Sequence, residues 1–147
     1  MKKNLVLALL VMALTSLSIQ AQTACKQTAE QIANDFSAAF TTKKLDTLDA
    51  NRGAAGKVTL TIENSLSGKL TVKTFANLTA VEKWLTKREI DELPGRIANE
   101  LVICKKGVCS FKIEGLSHST IFLKKISYGY TKSKCPFIKS IYIVDGV

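Results

Sequence analysis

The chain has 147 residues, 46% of them hydrophobic and 22% charged, with a formal net charge of +9. Two prolines, eight glycines and the absence of a 20–50-residue repeat exclude collagen-like, low-complexity and solenoid chains, and the charged fraction is that of a folded domain rather than a disordered one. Removing a leader of 21 residues leaves 126, which is enough for one domain with a real core and too few for two.

The N-terminus carries the most specific signal. Lys2 and Lys3 precede an unbroken apolar run over residues 5–14, and small and polar residues follow up to Ala21. That pattern predicts a secretory signal peptide over 1–21, cleaved between Ala21 and Gln22, and a single domain over 22–147. A spanning helix needs about 20 apolar residues, so the run reads as a leader and the protein as not integral to a membrane. The expectation is an exported protein, periplasmic or extracellular, with acylation of Cys25 as the minor alternative.

The mature chain opens with a helix. Ala29, Ile32, Ala33, Phe36, Ala39 and Phe40 recur at spacings of three and four, and Thr28 with Gln31 fits a capping box. A short helix over residues 45–50 follows, with Leu45 and Leu48 inward. The period then changes to two: Val58, Leu60 and Ile62 share one face of a strand, residues 64–68 form a turn, and Leu70, Val72 and Thr74 continue in a second strand of a half-buried hairpin. Thr79 and Glu82 match a second capping box, opening a helix to about Arg88 with Val81, Trp84 and Leu85 inward. Turn residues over 91–95 end it.

From residue 99 onward the chain reads as strands. Cys109, Phe111 and Ile113 alternate with Ser110 and Lys112. Ile121 and Leu123 have one parity and Ile126, Tyr128 and Tyr130 the other, which predicts a β-bulge at Lys124 and Lys125. In the last strand Ile138, Tyr142 and Val144 face one way and Phe137, Ile141 and Ile143 the other. Apolar residues on both faces point to an interior strand or a second buried surface. The whole predicts an α+β fold, one domain, with a curved antiparallel sheet packed on N-terminal helices.

Four cysteines, Cys25, Cys104, Cys109 and Cys135, in an exported chain predict disulfides. Residues 104–109 read as a hairpin tip with Gly107 in the turn, which pairs Cys104 with Cys109 and leaves Cys25 for Cys135. A bridge closing that long loop is worth up to about 4–5 kcal/mol in the chain-entropy model. Zinc-type spacing is missing and His118, in a turn-like stretch, is the one histidine, so no metal and no cofactor is expected. Charge is uneven: residues 25–103 hold 11 cations and 10 acids, whereas residues 104–147 hold 8 lysines and 2 acids. Lys105, Lys106, Lys132 and Lys134 fall in turns, where they project outward as candidates for a basic surface. The stretch contains no arginine, and export argues further against nucleic acid.

Residues 32–40, followed by Lys44, Leu45, Asp46, Thr47 and Leu48, resemble the opening of the nuclear transport factor 2-like superfamily, which includes SnoaL-like and ketosteroid-isomerase-like proteins. Residues 138–146 resemble that superfamily's last strand. The resemblance implies a cone-like fold with a pocket between sheet and helices, for which Phe36, Trp84, Tyr128 and Tyr130 are the lining candidates. Catalytic members use a buried Asp, His, Tyr or Arg there; the residues of those types here are Asp35, Arg52, His118, Tyr128 and Tyr130, and no nucleophile–base pair emerges among them. The reading is therefore a binding or interaction domain without catalysis, holding a small apolar ligand or peptide. The alternative is a basic face for an anionic surface, a protein partner or a homodimer, with a ketosteroid-isomerase-like enzyme a more distant third.

Overall fold

A computed structural model of the chain describes residues 27–50, 56–92, 95–98, 100–115 and 119–146. The predicted leader, Cys25, Arg52 and His118 lie outside the described residues. The described elements are α1 (Ala29–Thr41), α2 (Asp46–Ala50), β1 (Val58–Asn64), β2 (Leu70–Phe75), α3 (Leu78–Glu92), β3 (Gly95–Ala98), β4 (Leu101–Lys105), β5 (Val108–Phe111), β6 (Thr120–Tyr130) and β7 (Pro136–Gly146).

Among the described residues, seven strands form one sheet in the order β2-β1-β7-β6-β5-β4, and β3 also pairs with β6. The fold is α+β in one domain, but the sheet is mixed rather than antiparallel. β1 runs parallel to β7, with Leu60 opposite Ile141, and β3 runs parallel to the first half of β6. The reason is topological. The β1–β2 hairpin is separated from β7 by α3 and four strands, so its return to β7 is free to be parallel, whereas the tight turns of the β4–β5 and β6–β7 hairpins enforce antiparallel pairing.

α1 forms as the periodicity dictates. Thr28 accepts the Gln31 N–H at 3.2 Å and the Gln31 side chain accepts the Thr28 N–H at 2.9 Å, a complete capping box. Ile32, Ala33, Phe36, Ala39 and Phe40 are buried against the sheet. The core continues through Leu45, Val58, Leu60, Ile62, Leu78, Val81, Leu85, Ile121, Leu123, Ile126, Ile138, Ile141 and Ile143. The bulge in β6 falls at Lys124, between Leu123 and Lys125. A second register shift, between Ser127 and Tyr128, places an extra residue, Lys139, in β7. It moves Ile138 onto the core face with Ile141, correcting the parity read from sequence. On the opposite face Phe122 and Val144 pair and are also buried, in keeping with β7 as an interior strand.

α3 starts one residue before the expected capping box, and by other means. Asn77 Oδ1 accepts the Ala80 N–H at 2.9 Å. The Asp49 carboxylate of α2 accepts the N–H groups of Leu78 and Thr79 and the Thr79 hydroxyl, at 3.2, 2.6 and 2.6 Å. Glu82 is thereby released from capping. It lies buried and accepts two hydrogen bonds from Arg96, at 2.9 and 3.0 Å, and one from the Leu45 N–H at 3.3 Å. Arg96 also donates through Nε to Glu89, and its guanidinium lies 5.6 Å from the centre of the Phe40 ring. Glu89 in turn faces Lys43 Nζ at 3.2 Å. A buried arginine needs such a set, because an unpaired internal charge is costly. The network ties β3 to α3 and to the turn after α1.

The Cys104–Cys109 disulfide closes the β4–β5 hairpin, whose turn uses Gly107 at φ 80°. Cys135 is disulfide-bonded as well, and its expected partner Cys25 lies outside the described residues. Among the described residues no helix is long and apolar enough to cross a membrane.

Candidate functional site: a basic cleft between α3 and the β1–β2 edge

The hairpin register decides what the helix side of β2 presents. Asn64 Oδ1 accepts the N–H groups of Leu66 and Ser67 and the Ser67 hydroxyl, building the turn, and the Asn64 N–H donates to the Lys69 carbonyl at 3.0 Å. Thr71 then stands opposite Ile62, and Lys73 opposite Leu60. Strand residues alternate between faces, so Thr71 and Lys73 share the helix side with the core residues of β1. Leu70 and Val72 turn to the other face, where they are 54% and 63% exposed. The half-buried hairpin expected from sequence is thus half-buried in β1 alone.

Between this strand pair and α3 lies a cleft of about 180 Å³ lined by Ile62, Asn64, Ser67, Lys69, Thr71, Lys73, Arg88 and Asp145. Asp145, near the end of β7, is buried and ion-paired with Arg88. Three cations thus face one carboxylate. Trp84 forms the neighbouring wall: Lys73 Nζ lies 5.4 Å and Arg88 Cζ 5.8 Å from its ring centre, and Phe75 packs against it at 6.0 Å. Cations over an indole face are held electrostatically by the ring, so both side chains are steered toward the cleft. Asn64, Ser67 and Thr71 add uncharged polar groups. The arrangement can neutralise and hydrogen-bond an anionic group. Among the described residues no cluster of three or more His, Cys, Asp or Glu side chains is placed to hold a metal.

The candidates drawn from sequence are scattered. Trp84 adjoins the cleft. Phe36 is fully buried and stacked on Phe40 with ring centres 6.3 Å apart. Tyr128 and Tyr130 meet edge-to-face at 5.8 Å, at the far end of β6. There burial, helped by Tyr130, raises the Tyr128 phenol above its usual range. Asp35 is exposed and accepts from the Gln27 amide. None of these four lines the cleft. Lys105, Lys106, Lys132 and Lys134 are all exposed. The structure gathers them at one end of the sheet, where the Tyr128 N–H donates to the Gly107 carbonyl at 2.9 Å, joining the β4–β5 turn to the strand that leads into the β6–β7 turn.

Lys69, Lys73, Arg88 and Asp145 carry no individual mark in the sequence. The available signal was the parity of β2: its lysine and threonine alternate with leucine and valine, and the length of the 64–69 turn sets which of the two faces the helix.

A second polar group sits on the opposite face. Glu63 accepts from Lys124 Nζ and from the Tyr142 hydroxyl, each at 2.7 Å. The Lys124 hydrogen bond, then that of Tyr142, holds the Glu63 carboxyl below the usual carboxylate range, while Glu63 raises both Lys124 and Tyr142. Lys124 and Lys125 lie 5.0 and 4.8 Å from the centre of the Tyr142 ring. In comparisons with known proteins, no family model, curated protein or solved structure matches the chain.

Proposed function

We propose that the protein is an exported, non-catalytic binding domain that holds an anionic group of a small ligand or peptide in the cleft between α3 and the β1–β2 edge. One observation carries this reading: Lys69, Lys73 and Arg88 line the same cleft, and among its described lining residues Asp145 is the one acid. A small apolar ligand, the expectation from sequence, fits this lining less well than a phosphate or carboxylate does, since charged and hydrogen-bonding groups dominate it. The nuclear transport factor 2-like resemblance supports a binding role on the helix side of the sheet. The likeness rests on residues 32–48 and 138–146, while the β1–β2 hairpin that bounds the cleft is not part of that superfamily's usual pattern. Export agrees with the leader-like N-terminus and with the Cys104–Cys109 disulfide, which persists in oxidising compartments.

Titration of the isotope-labelled protein with inorganic phosphate and with succinate tests the reading. Amide shifts are expected at Thr71, Lys73 and Arg88, with binding weakened at least fivefold in Lys73→Gln. Shifts confined to other regions, or affinity unchanged in Lys73→Gln, would refute it.

A second reading rests on the opposite end of the sheet. Lys105 at the end of β4 and Lys106 in the turn after it come near the β6–β7 connection that carries Lys132 and Lys134. A cluster of exposed cations within about a Debye length, roughly 8 Å at physiological salt, acts jointly on an anionic surface.

A further inference from the structure

We infer that β2 receives an extended acidic peptide as an added strand, a mode that rests on the cleft reading above and names its ligand class. β2 ends the sheet order among the described residues. The Asn64 N–H bond to the Lys69 carbonyl marks these two as a hydrogen-bonded position. In an antiparallel pair such positions alternate. The main chain of Lys69, Thr71 and Lys73 therefore points to β1, and that of Leu70, Val72 and Thr74 points outward.

Natural sheets usually defend such an edge with short strands, proline, bulges or charges aimed along it. β2 has six residues in unbroken register with β1 and no proline, and residues 70–74 are all exposed. Its one internal charge, Lys73, is turned back over Trp84 toward the cleft instead of standing in front of the edge. Among the described residues the edge is thus an unprotected row of donors and acceptors, with cations on one face and apolar Leu70 and Val72 on the other.

An added strand would alternate in the same way. Its residues on the helix side would meet Lys69, Lys73 and the Arg88–Asp145 pair, which calls for carboxylates. Its residues on the other side would meet Leu70 and Val72, which calls for apolar or β-branched side chains. A second copy of this chain fits less well: pairing two β2 edges would line up Lys69 and Lys73 of both copies on one side, and like charges across strands repel.

The test uses the mature protein with a blocked synthetic hexapeptide, acetyl-Glu-Val-Glu-Val-Glu-Thr-amide, and two forms of it N-methylated at alternate residues. Strand addition predicts amide shifts at Leu70, Val72 and Thr74. One N-methylated form should lose at least tenfold in affinity, while the other, whose methyl groups face away, binds nearly as well as the parent. Val72→Pro removes an outward N–H and should weaken the peptide about tenfold while leaving phosphate binding in the cleft unchanged. Equal binding of the two methylated forms overturns strand addition, as does concentration-dependent shifting of β2 without peptide, which would assign the edge to a second copy. Phosphate binding retained alongside either result leaves the cleft reading standing; loss of phosphate binding in the unaltered protein removes that reading itself.

Discussion

Replacing Arg96 by methionine removes the one guanidinium that serves two buried carboxylates. Glu82 and Glu89 are 8% and 5% exposed, and the Arg96 side chain is fully buried. Breaking a buried ion pair by deleting one partner costs about 3–5 kcal/mol. Here Lys43 still faces Glu89, and the Leu45 N–H and Thr86 hydroxyl still reach Glu82. The cost should therefore fall near the lower end, about 3 kcal/mol at pH 7. Its pH dependence identifies the cause. In the unaltered protein burial pushes the Glu82 carboxyl up, but the Arg96 guanidinium, with Thr86 and the Leu45 amide, holds it below the usual range. That contribution is complete above the unfolded carboxylate value, about 4.3, and is lost as pH falls through the lower folded value. Without Arg96, burial, the largest influence on Glu82, is no longer offset by the guanidinium, and the folded Glu82 carboxyl binds its proton more tightly than the unfolded one. The penalty is then complete at neutral pH and shrinks as pH falls toward about 4.3. Urea unfolding followed by circular dichroism at pH 7 and pH 5 should show the two proteins drawing closer at the lower pH. Adding Glu82→Gln and Glu89→Gln to Arg96→Met should recover most of the loss at pH 7. A loss under about 1 kcal/mol at pH 7, well below the range for broken buried pairs, or an equal loss at both pH values, would refute the reasoning.

Asp49→Ala removes the acceptor of the Leu78 and Thr79 N–H groups and should cost about 1–2 kcal/mol, with hydrogen exchange accelerated at the start of α3; unchanged exchange there would show that Asn77 suffices. Gly107→Ala places a Cβ 3.3 Å from the Tyr128 carbonyl at a φ of 80°, and should lower stability by about 1 kcal/mol or more in thermal unfolding. Reversing Lys105, Lys106, Lys132 and Lys134 to Glu should abolish any salt-sensitive binding to anionic liposomes while leaving stability nearly unchanged. Binding that survives the reversal would dismiss the second functional reading.

Local pattern proved sufficient wherever one element answers to its own sequence. The stripe of α1, the alternation of β1, the bulge at Lys124 and the Cys104–Cys109 tip are all settled within about a dozen residues, and each is seen. What the pattern could not show depends on distant chain. Thr79 and Glu82 satisfy a capping rule in isolation, yet Asp49 arrives from α2 to cap the helix and Arg96 arrives from β3 to claim Glu82. β3 itself has four residues, too few for any period. The second bulge, at Lys139, is fixed by how β7 meets β6 and leaves no trace in composition. The cleft is the extreme case. Lys69, Lys73 and Arg88 each read as ordinary solvated cations, and their convergence follows from a hairpin register combined with a helix crossing.

The placement of β7 has a consequence for how the molecule comes into being. This strand follows every other described strand yet lies inside the sheet, bonded to β1 on one side and β6 on the other. Among the described residues, the β1–β2 hairpin and the β3–β6 strands are joined within the sheet only through it. Thr59 must find Ser140 and Thr120 must find Gly146 before the two groups become one surface. Such long-range closure is slow compared with helix or hairpin formation. Until β7 is in place, the described strands thus remain two separate, unfinished half-sheets. One insertion then closes both halves at once, through β1 on one side and β6 on the other.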